Sequence, residues 1–301
     1  MSATIGVVGV GPWGKHVLRD LRALGATVHA VARSPESIQR ARDGGAASIV
    51  AAPEQLPDCD GYVIANRTSS HLDAIETLLP RGMPIFTEKP ISADVARVKR
   101  LPPAAHDLVF IMHKWRYHPG IIEMARIART DEFGPAQGLR TLRLGWGNPH
   151  TDTTTLWALA PHEMSIALTI FGALPELVSA APDPTDPDGG AIVHMRAASG
   201  VPFVTEFSFG HPARLRRIML SCRDAVCLLD DSDYSALSIL RRGAREGASE
   251  RRPVSDDMPL LAELRRFLEH LKGGPAPLSS LADEINIIEA LARIEAAITR
   301  R

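Results

Sequence analysis

The sequence predicts an α/β protein in which a doubly wound parallel Rossmann sheet is followed by an α+β domain with a large, mainly antiparallel, open-faced sheet. A glycine-rich turn at residues 9–14 joins a short apolar strand to a helix. Buried strands then alternate with helices up to residue 117, whereas strands follow one another with few helical signals in the second half. We therefore divide the chain into residues 1–117 and 118–301. The C-terminal helices at 260–299 are expected to pack back towards the first domain.

The glycine-rich turn has the sequence GVGPWG and lies directly between the predicted strand and helix. This order gives a G-x-G-x-x-G dinucleotide fingerprint its required setting. The first glycine permits the tight turn, the second lets a pyrophosphate approach the backbone, and the third lets helix and strand pack closely. The pyrophosphate would lie at the positive end of the helix. The alternative is a turn that is merely rich in glycine. The residues of the turn predicted to hold the cofactor are Gly9, Gly11, Pro12, Trp13 and Gly14.

Composition narrows the class of protein. The chain has 301 residues, of which 45% are hydrophobic, and a formal net charge of −1. This charge gives no reason to expect a nucleic-acid or anionic membrane partner. The three cysteines are too few and too scattered for a disulfide framework or a zinc site, and are expected to pack as small apolar groups. With no signal peptide and no long apolar run, we expect a cytoplasmic protein.

The second strand, at residues 27–32, bears on the choice of cofactor. A dinucleotide fold usually places an acid after this strand to hold the adenosine ribose, but here the residues are Arg33 and Ser34. A guanidinium would pair with a 2′-phosphate, and the hydroxyl could add a hydrogen bond. The alternative is a solvated arginine and a serine that caps the helix opened by Pro35, although Ser34 could do both. We favour NADP(H) over NAD(H).

Two further strand ends carry polar residues. The strand at 61–65 runs into Asn66-Arg67-Thr68-Ser69-Ser70-His71, and the strand at 84–87 runs into Glu88-Lys89-Pro90. Open α/β sheets bind ligands at the carboxyl ends of their strands. The cofactor contacts predicted here are Asn66, Thr68, His71, Glu88 and Lys89.

Several other boundaries are set by local signals. We expect a helix from Ser92, a helix from about Pro161 to Phe171, an exposed loop at 183–190 and a solvated, arginine-rich loop at 241–252. Ser280 and Asp283 form a predicted capping box that opens the last helix.

Four stretches together resemble the Gfo/Idh/MocA oxidoreductases, the family named for glucose–fructose oxidoreductase, inositol dehydrogenase and a rhizopine-catabolism protein. They are GVGPWGK at the start, VIANRTSSHLDAI at 63–75, FTEKP at 86–90 and LWALAPHEMSIALTIFG at 156–172. WGKHVLRDL and LWALAPHEMSI are most similar to the branch that acts on nucleotide-linked sugars. The resemblance implies hydride transfer between a nicotinamide and a ring carbon of a sugar or polyol, without a metal.

The chemistry needs an acid–base group, since a proton leaves or joins the sugar oxygen while hydride moves at carbon. Lys89 and His162 are the candidates. In the family the Lys–Pro bond is often cis, and the lysine contacts both the nicotinamide ribose and the substrate. The structural alternatives are a surface lysine for Lys89 and a helix-start histidine for His162.

Two departures from the family pattern matter. Where relatives commonly have aspartate four residues before the histidine, this chain has Ala158, and Glu163 points roughly 100° around a helix from His162. The nucleotide-sugar 3-dehydrogenase branch usually has aspartate in place of Arg33 and uses NAD. Both favour an NADPH-linked reduction of a keto-sugar. Ala158 also leaves open a non-catalytic dinucleotide-binding sensor or regulator on the same scaffold, against which Lys89 and His162 argue.

The second domain is expected to supply the substrate site and the oligomer contact. The predicted substrate-binding residues are Trp146, Asn148 and His162 of this domain, together with Arg116 and Tyr117 at the end of the first domain; for Arg116 a salt bridge at the domain junction is the alternative. His113 and His118 lack acids in a metal-binding arrangement, so no metal is expected. One face of the antiparallel sheet should remain open and pair between subunits, which gives a homodimer or homotetramer.

Overall fold

The computed structural model describes residues 2–230, 233–245 and 249–299. The chain divides into two compact units, one of Met1–Lys114 with Met258–Ile285 and the other of Trp115–Asp257 with Asn286–Arg301. No helix in the described part of the chain is both long enough and apolar enough to cross a membrane.

The first unit contains a six-stranded parallel sheet in the order β3-β2-β1-β4-β5-β6. Its strands are β1 (Thr4–Val8), β2 (Thr27–Val31), β3 (Ser48–Val50), β4 (Gly61–Ile64), β5 (Ile85–Glu88) and β6 (Val109–Met112). Its complete helices are α1 (Gly14–Ala23), α2 (Pro35–Asp43), α3 (His71–Leu78), α4 (Val95–Val98), α5 (Ala105–Leu108) and α8 (Pro259–His270). The strand order reverses between β1 and β4, which opens a ligand crevice at their carboxyl ends.

Helix α8 covers part of one face of this sheet. Phe267 stacks on Phe86 of β5, with ring centroids 5.1 Å apart. A Cβ added to Gly61, the first residue of β4, would lie 3.0 Å from Phe267 and from Leu271. The C-terminal part of α8 therefore lies at the amino ends of the strands, and its first turns lie towards their carboxyl ends.

The second unit contains an eight-stranded sheet in the order β14-β13-β12-β11-β7-β10-β9-β8. Its strands are β7 (Ala136–Trp146), β8 (Glu176–Pro182), β9 (Ala191–Arg196), β10 (Pro202–Ser208), β11 (Gly210–Cys222), β12 (Ala225–Asp230), β13 (Asp233–Arg241) and β14 (Glu250–Pro253). All neighbours are antiparallel except β7 and β10. Helices α6 (Pro119–Thr130) and α7 (Thr155–Phe171) belong to this unit, and α9 (Leu281–Thr299) begins in the first unit and ends in the second. The predicted fold class is confirmed.

Two predicted helix starts are wrong. Helix α7 begins at Thr155, so that Pro161 lies inside it rather than at its start. The apolar residues 156–160 are all buried, and their packing outweighs the backbone hydrogen bond that proline cannot donate. The helix expected from Ser92 is α4, which begins after Asp94; the Asp94 carboxylate accepts the Arg97 N–H at 2.9 Å.

The arginine-rich stretch 241–252 is not simply a solvated loop. It includes the last residue of β13 and the start of β14, which pairs with β13; residues 246–248 lie outside the described residues. The Arg252 guanidinium lies 3.1 Å from Glu123 and 2.8 Å from Glu132. These partners are far away in sequence, so local charge patterning could not reveal them.

The loop at 183–190 contains one buried anchor. Asp186 is 7% exposed; it accepts the Phe209 N–H at 2.6 Å and the Thr155 hydroxyl at 3.1 Å. The loop is therefore tied to the start of α7.

Two predicted helix caps are confirmed. Ser34 accepts the Ser37 N–H at 3.2 Å at the start of α2, and Ser280 and Asp283 exchange hydrogen bonds of 3.1 and 3.2 Å at the start of α9.

Candidate functional site

The glycine turn has the backbone geometry that a phosphate site requires. Gly9 has φ of +96°, and a Cβ there would lie 2.6 Å from the Asn66 Cα. A Cβ on Gly14 would lie 2.1 Å from the Gly9 carbonyl oxygen, so only glycine allows α1 to start this close to the turn. A Cβ on Gly11 would meet nothing within 4 Å. Gly9 and Gly14 thus fix the shape of the turn, whereas the space beside Gly11 is open. A pyrophosphate can approach the free N–H groups of α1 there.

A hydrogen bond joins this turn to the end of β5. The Trp13 indole N–H donates to one carboxylate oxygen of Glu88, and the other oxygen accepts the Lys89 N–H at 3.3 Å. The Lys114 ammonium lies 4.5 Å from the centroid of the Trp13 ring. The Lys89–Pro90 peptide bond is cis, as the family resemblance implies. The half-buried Lys89 therefore follows a residue that the glycine turn holds in place.

His71 links the two polar strand ends. Its Nδ1 lies 2.9 Å from the Pro90 carbonyl oxygen and its Nε2 lies 3.2 Å from the Asn66 carbonyl oxygen. Burial lowers the pKa of His71, although the two carbonyls and Glu88 favour the charged form. A neutral imidazole has a single N–H and can donate to only one of these oxygens. His71 therefore holds the segments that follow β4 and β5 together through these two carbonyls. Its predicted contact with the cofactor stays a prediction.

Glu284 is a supporting residue that sequence reasoning missed. Its buried carboxylate accepts the Ile91 N–H at 2.9 Å and lies 2.7 Å from His113 Nε2. These contacts fix the chain immediately after Lys89-Pro90. The partners are 193 and 171 positions away in sequence, so no local spacing signal could have identified the residue.

Glu263 is a second buried acid that sequence reasoning missed. It is fully buried on α8, and neither carboxyl oxygen has a hydrogen-bond partner in the described structure. Burial, followed by the nearby Glu88 carboxylate, raises the pKa of Glu263 well above its usual value, while Lys114 opposes this effect. One signal was available, since Glu263 lies between Leu260 and Leu264 on the apolar face of the predicted helix.

The remaining predicted cofactor residues lie at the same strand ends. Arg33 is exposed after β2, and its Nε donates to the Ala51 carbonyl oxygen at 2.8 Å. Asn66 donates to the Ser70 carbonyl oxygen at 3.3 Å, across the short turn Thr68–Ser70. These side chains are held by local contacts at the carboxyl edge of the sheet.

Helix α7 carries the predicted catalytic histidine of the second unit. Ala158 is buried and His162 is half-buried one turn later, so His162 lies well inside the helix rather than at its start. Glu163 forms a buried ion pair with Arg143, whose guanidinium lies 4.8 Å from the centroid of the Trp115 ring. The Glu163 carboxylate is thus paired with a residue of β7. This agrees with the expectation that Glu163 does not replace the missing aspartate. Lys89 and His162 belong to different units, and their convergence stays a prediction.

The predicted substrate residues have distinct environments. Trp146, the last residue of β7, is 75% exposed. Asn148 donates to the Thr153 carbonyl oxygen at 3.0 Å and accepts the His150 N–H at 2.9 Å, so its amide shapes the loop after β7. Arg116 and Tyr117 lie in the short turn Lys114–Tyr117. No group of three or more His, Cys, Asp or Glu side chains within the described ranges is placed to hold a metal ion.

The sheet order and the glycine turn define a Rossmann fold with the backbone geometry typical of dinucleotide-binding turns. Residues 3–111 match the family model GFO_IDH_MocA, described as "Oxidoreductase family, NAD-binding Rossmann fold". The matched residues lie in the first unit, and over that region the chain is similar to this oxidoreductase family. The glycine turn fits the NAD-type cofactor of this family, because Gly11 leaves open the space beside the start of α1.

A curated relative matches about half of the chain in sequence. The chain is 26% identical over 156 residues to the myo-inositol dehydrogenase Hyg17 of Streptomyces leeuwenhoekii; the match covers 50% of this chain and 48% of that protein. The matched region thus spans about half the length of this curated relative.

Solved structures match over nearly the whole chain. UDP-N-acetylglucosamine 3-dehydrogenase GnnA from Acidithiobacillus ferrooxidans has a TM-score of 0.83 at 21% identity, with 99% of this chain and 98% of that chain covered. A levoglucosan dehydrogenase in complex with NADH and levoglucosan has a TM-score of 0.83 at 15% identity, with 98% of each chain covered. At these identities the likeness shows the fold, which includes the second unit.

Proposed function

We propose that this protein is an NAD(P)-dependent oxidoreductase that transfers a hydride between the nicotinamide and a ring carbon of a sugar or nucleotide-linked sugar. The reaction is either keto-sugar reduction or alcohol oxidation. The observation that supports this proposal is the link from Trp13 through Glu88 to the backbone N–H of the half-buried Lys89, which joins this residue to the glycine turn. The family supports oxidoreductase chemistry, and the names of three relatives support a sugar or polyol substrate.

Lys89 is proposed as the acid–base residue. The bound cofactor supplies or accepts the hydride, which leaves the chain's own residues to move a proton at the sugar oxygen. Glu88 accepts the Lys89 N–H and Glu284 accepts the Ile91 N–H, so the backbone that carries Lys89 is held at the carboxyl end of β5. His162 is proposed to orient the same oxygen or share the transfer. Arg116, Tyr117, Trp146 and Asn148 are proposed to bind the rest of the substrate.

The proposed cofactor preference is for NADP(H). Arg33 uses its Nε on the Ala51 carbonyl, and its two terminal guanidinium nitrogens remain for a 2′-phosphate. The residues that follow β2 include no acid before Glu36, so a ribose 2′-OH lacks its usual acceptor there.

The proposed assembly is a homodimer or homotetramer formed through the open face of the eight-stranded sheet. This face carries apolar side chains flanked by charged ones, which are Arg140, Leu142, Ile192, Val204, Glu206, Arg217 and Met219. Ile192 is 49% exposed on it. Pairing of two such faces would bury the apolar residues and match arginines with Glu206 of the other copy. A cytoplasmic location is proposed with it, since all three cysteines are free, buried thiols.

A thermal-shift screen tests the proposed function. Nucleotide sugars, free sugars and polyols are added to the protein with NADP(H) present, because a ligand of the native state raises the melting temperature. Compounds that give a shift are then assayed for nicotinamide absorbance change. We expect a shift and turnover with at least one sugar. Cofactor binding without turnover on any of them would favour the sensor or regulator that Ala158 keeps open.

A further inference from the structure

We propose that Glu263 is a proton-holding residue of the dinucleotide site, and that its ionised form favours the oxidised over the reduced cofactor. The proposal rests on the binding of a nicotinamide dinucleotide by the first unit. It makes Glu263 a determinant of which redox form of the cofactor binds, and gives that preference a pH dependence.

The first support is the burial of an unpartnered acid. Glu263 is fully buried, and within the described structure neither of its oxygens has a hydrogen-bond partner. A buried polar group without a partner is costly, and an ionised one is far more so. A leucine at this position of α8 would pack like its neighbours Leu260 and Leu264. The acid therefore needs a reason other than packing.

The second support is the location of the acid. The charged groups that act on Glu263 among the described residues are Glu88, the last residue of β5, and Lys114, two residues after β6. Both lie at the carboxyl edge of the sheet, on the β4–β6 side of the crevice. In a doubly wound dinucleotide fold the two nucleotide halves lie on opposite sides of that crevice. Because the turn after β1 and the end of β2 take the pyrophosphate and adenosine ribose, the nicotinamide half falls on the side of Glu263.

The third support is charge. Burial and the Glu88 carboxylate raise the pKa of Glu263, so the group keeps its proton to a higher pH than an ordinary carboxyl, with Lys114 acting in the opposite direction. An oxidised nicotinamide ring carries a positive charge and a reduced ring carries none. A nearby positive charge favours an ionised carboxyl. Binding of the oxidised cofactor should therefore drive the Glu263 proton to solvent, whereas binding of the reduced cofactor should leave it in place.

The coupling between Glu263 ionisation and cofactor binding can be measured as a pH dependence of the cofactor Kd values. If the oxidised cofactor favours ionised Glu263, then ionisation of Glu263 must favour the oxidised cofactor to the same extent. The ratio of the reduced-cofactor Kd to the oxidised-cofactor Kd should rise with pH, by up to about tenfold per pH unit for one linked proton. Lys89 contributes equally in all variants that keep it, so a comparison between variants isolates Glu263.

The test measures the Kd of NADP⁺ and of NADPH by fluorescence titration between about pH 6 and about pH 9, across the range over which a raised carboxyl pKa can titrate. The variants are wild type, Glu263→Gln and, as a matched control, Glu54→Gln, whose side chain is exposed in the same unit. We expect the pH slope of the Kd ratio to fall in Glu263→Gln and to be unchanged in Glu54→Gln. Proton release on NADP⁺ binding, measured by calorimetry in two buffers, should fall in parallel. Glu263→Met gives a second variant without a titratable or hydrogen-bonding group, and it should show the same reduced slope.

Two outcomes would overturn the proposal, and they are distinguishable. If the wild-type protein binds both cofactors and the pH slope of its Kd ratio is unchanged in Glu263→Gln, this inference alone is overturned. Failure of the wild-type protein to bind either dinucleotide would overturn the proposed function and this inference with it.

Discussion

The Trp13 indole N–H donates a hydrogen bond to the Glu88 carboxylate, 75 positions further along the chain. This bond joins the glycine turn of the first strand to the residue that precedes Lys89. The Lys114 ammonium lies over the same indole ring, and Glu263 lies within the electrostatic reach of both Glu88 and Lys114. Glu88 thus connects the glycine turn to the backbone of the proposed acid–base residue, and its charge also acts on the buried Glu263.

Arg33 should set the cofactor preference. A hydrogen bond between charged groups contributes about 1.5–3 kcal/mol, so the wild-type protein should bind NADPH about 10- to 150-fold more tightly than NADH. Arg33→Asp should reverse the order, because the carboxylate repels a 2′-phosphate and accepts a hydrogen bond from a 2′-OH. Fluorescence titration measures both affinities, with Arg42→Asp on α2 as the control. Equal wild-type affinities would refute the assignment.

Glu263 should make the stability of the cofactor-free protein depend on pH. The pKa of Glu263 is raised in the folded state. The free energy of unfolding is therefore highest below the ordinary carboxyl pKa, and it falls as the pH rises from there towards the folded-state pKa. Each pH unit within that interval costs the wild-type protein about 1.4 kcal/mol relative to a variant that does not titrate. The Tm of Glu263→Gln should therefore rise relative to the wild-type Tm as the pH increases from about 5 to about 8. A Tm difference that is constant with pH would contradict the raised pKa.

The buried Arg143–Glu163 pair should behave as a unit. Removing one partner of a buried ion pair leaves an uncompensated charge and costs about 3–5 kcal/mol, whereas replacing both with apolar groups is often nearly neutral. Arg143→Met should therefore lower the free energy of unfolding by this amount, and addition of Glu163→Met should restore much of it. Urea denaturation of the wild type, both single variants and the double variant measures the coupling. Additive losses in the double variant would show that the two side chains act independently.

The open sheet face should hold subunits together. Light scattering at micromolar concentration should show a dimer or tetramer, and Ile192→Glu should shift the protein towards monomer by placing a charge in the apolar patch. Ile122→Glu on α6, where the isoleucine is also 49% exposed, is the matched control for the same substitution. A wild-type monomer would count against this interface.

How far the sequence predicted the structure depended on the range of the signals. The strand, glycine turn and helix at residues 4–23 are coded by neighbouring residues, and their geometry follows the pattern closely. The start of α7 was missed because Pro161 is a strong local signal, which the burial of residues 156–160 outweighs. Glu284 was missed because its partners are brought to it only by the complete fold.

His162 and Lys89 should differ in their contributions to turnover. His162 lies one turn after Ala158, at which position the resemblance in the sequence implies an aspartate. His162→Ala is expected to reduce turnover less than loss of Lys89 does. A larger loss with His162→Ala would assign the main acid–base role to the histidine.

The most direct test of the whole account is the turnover of Lys89→Met with a sugar substrate found in the thermal-shift screen. We expect a loss of about 10²–10⁴-fold in kcat, as for removal of a general acid–base group, with cofactor affinity little changed. The exposed Lys99→Met variant, which carries the same substitution elsewhere in the first unit, should retain wild-type turnover. Turnover of Lys89→Met within a few-fold of wild type would contradict the assignment of Lys89 as the catalytic residue.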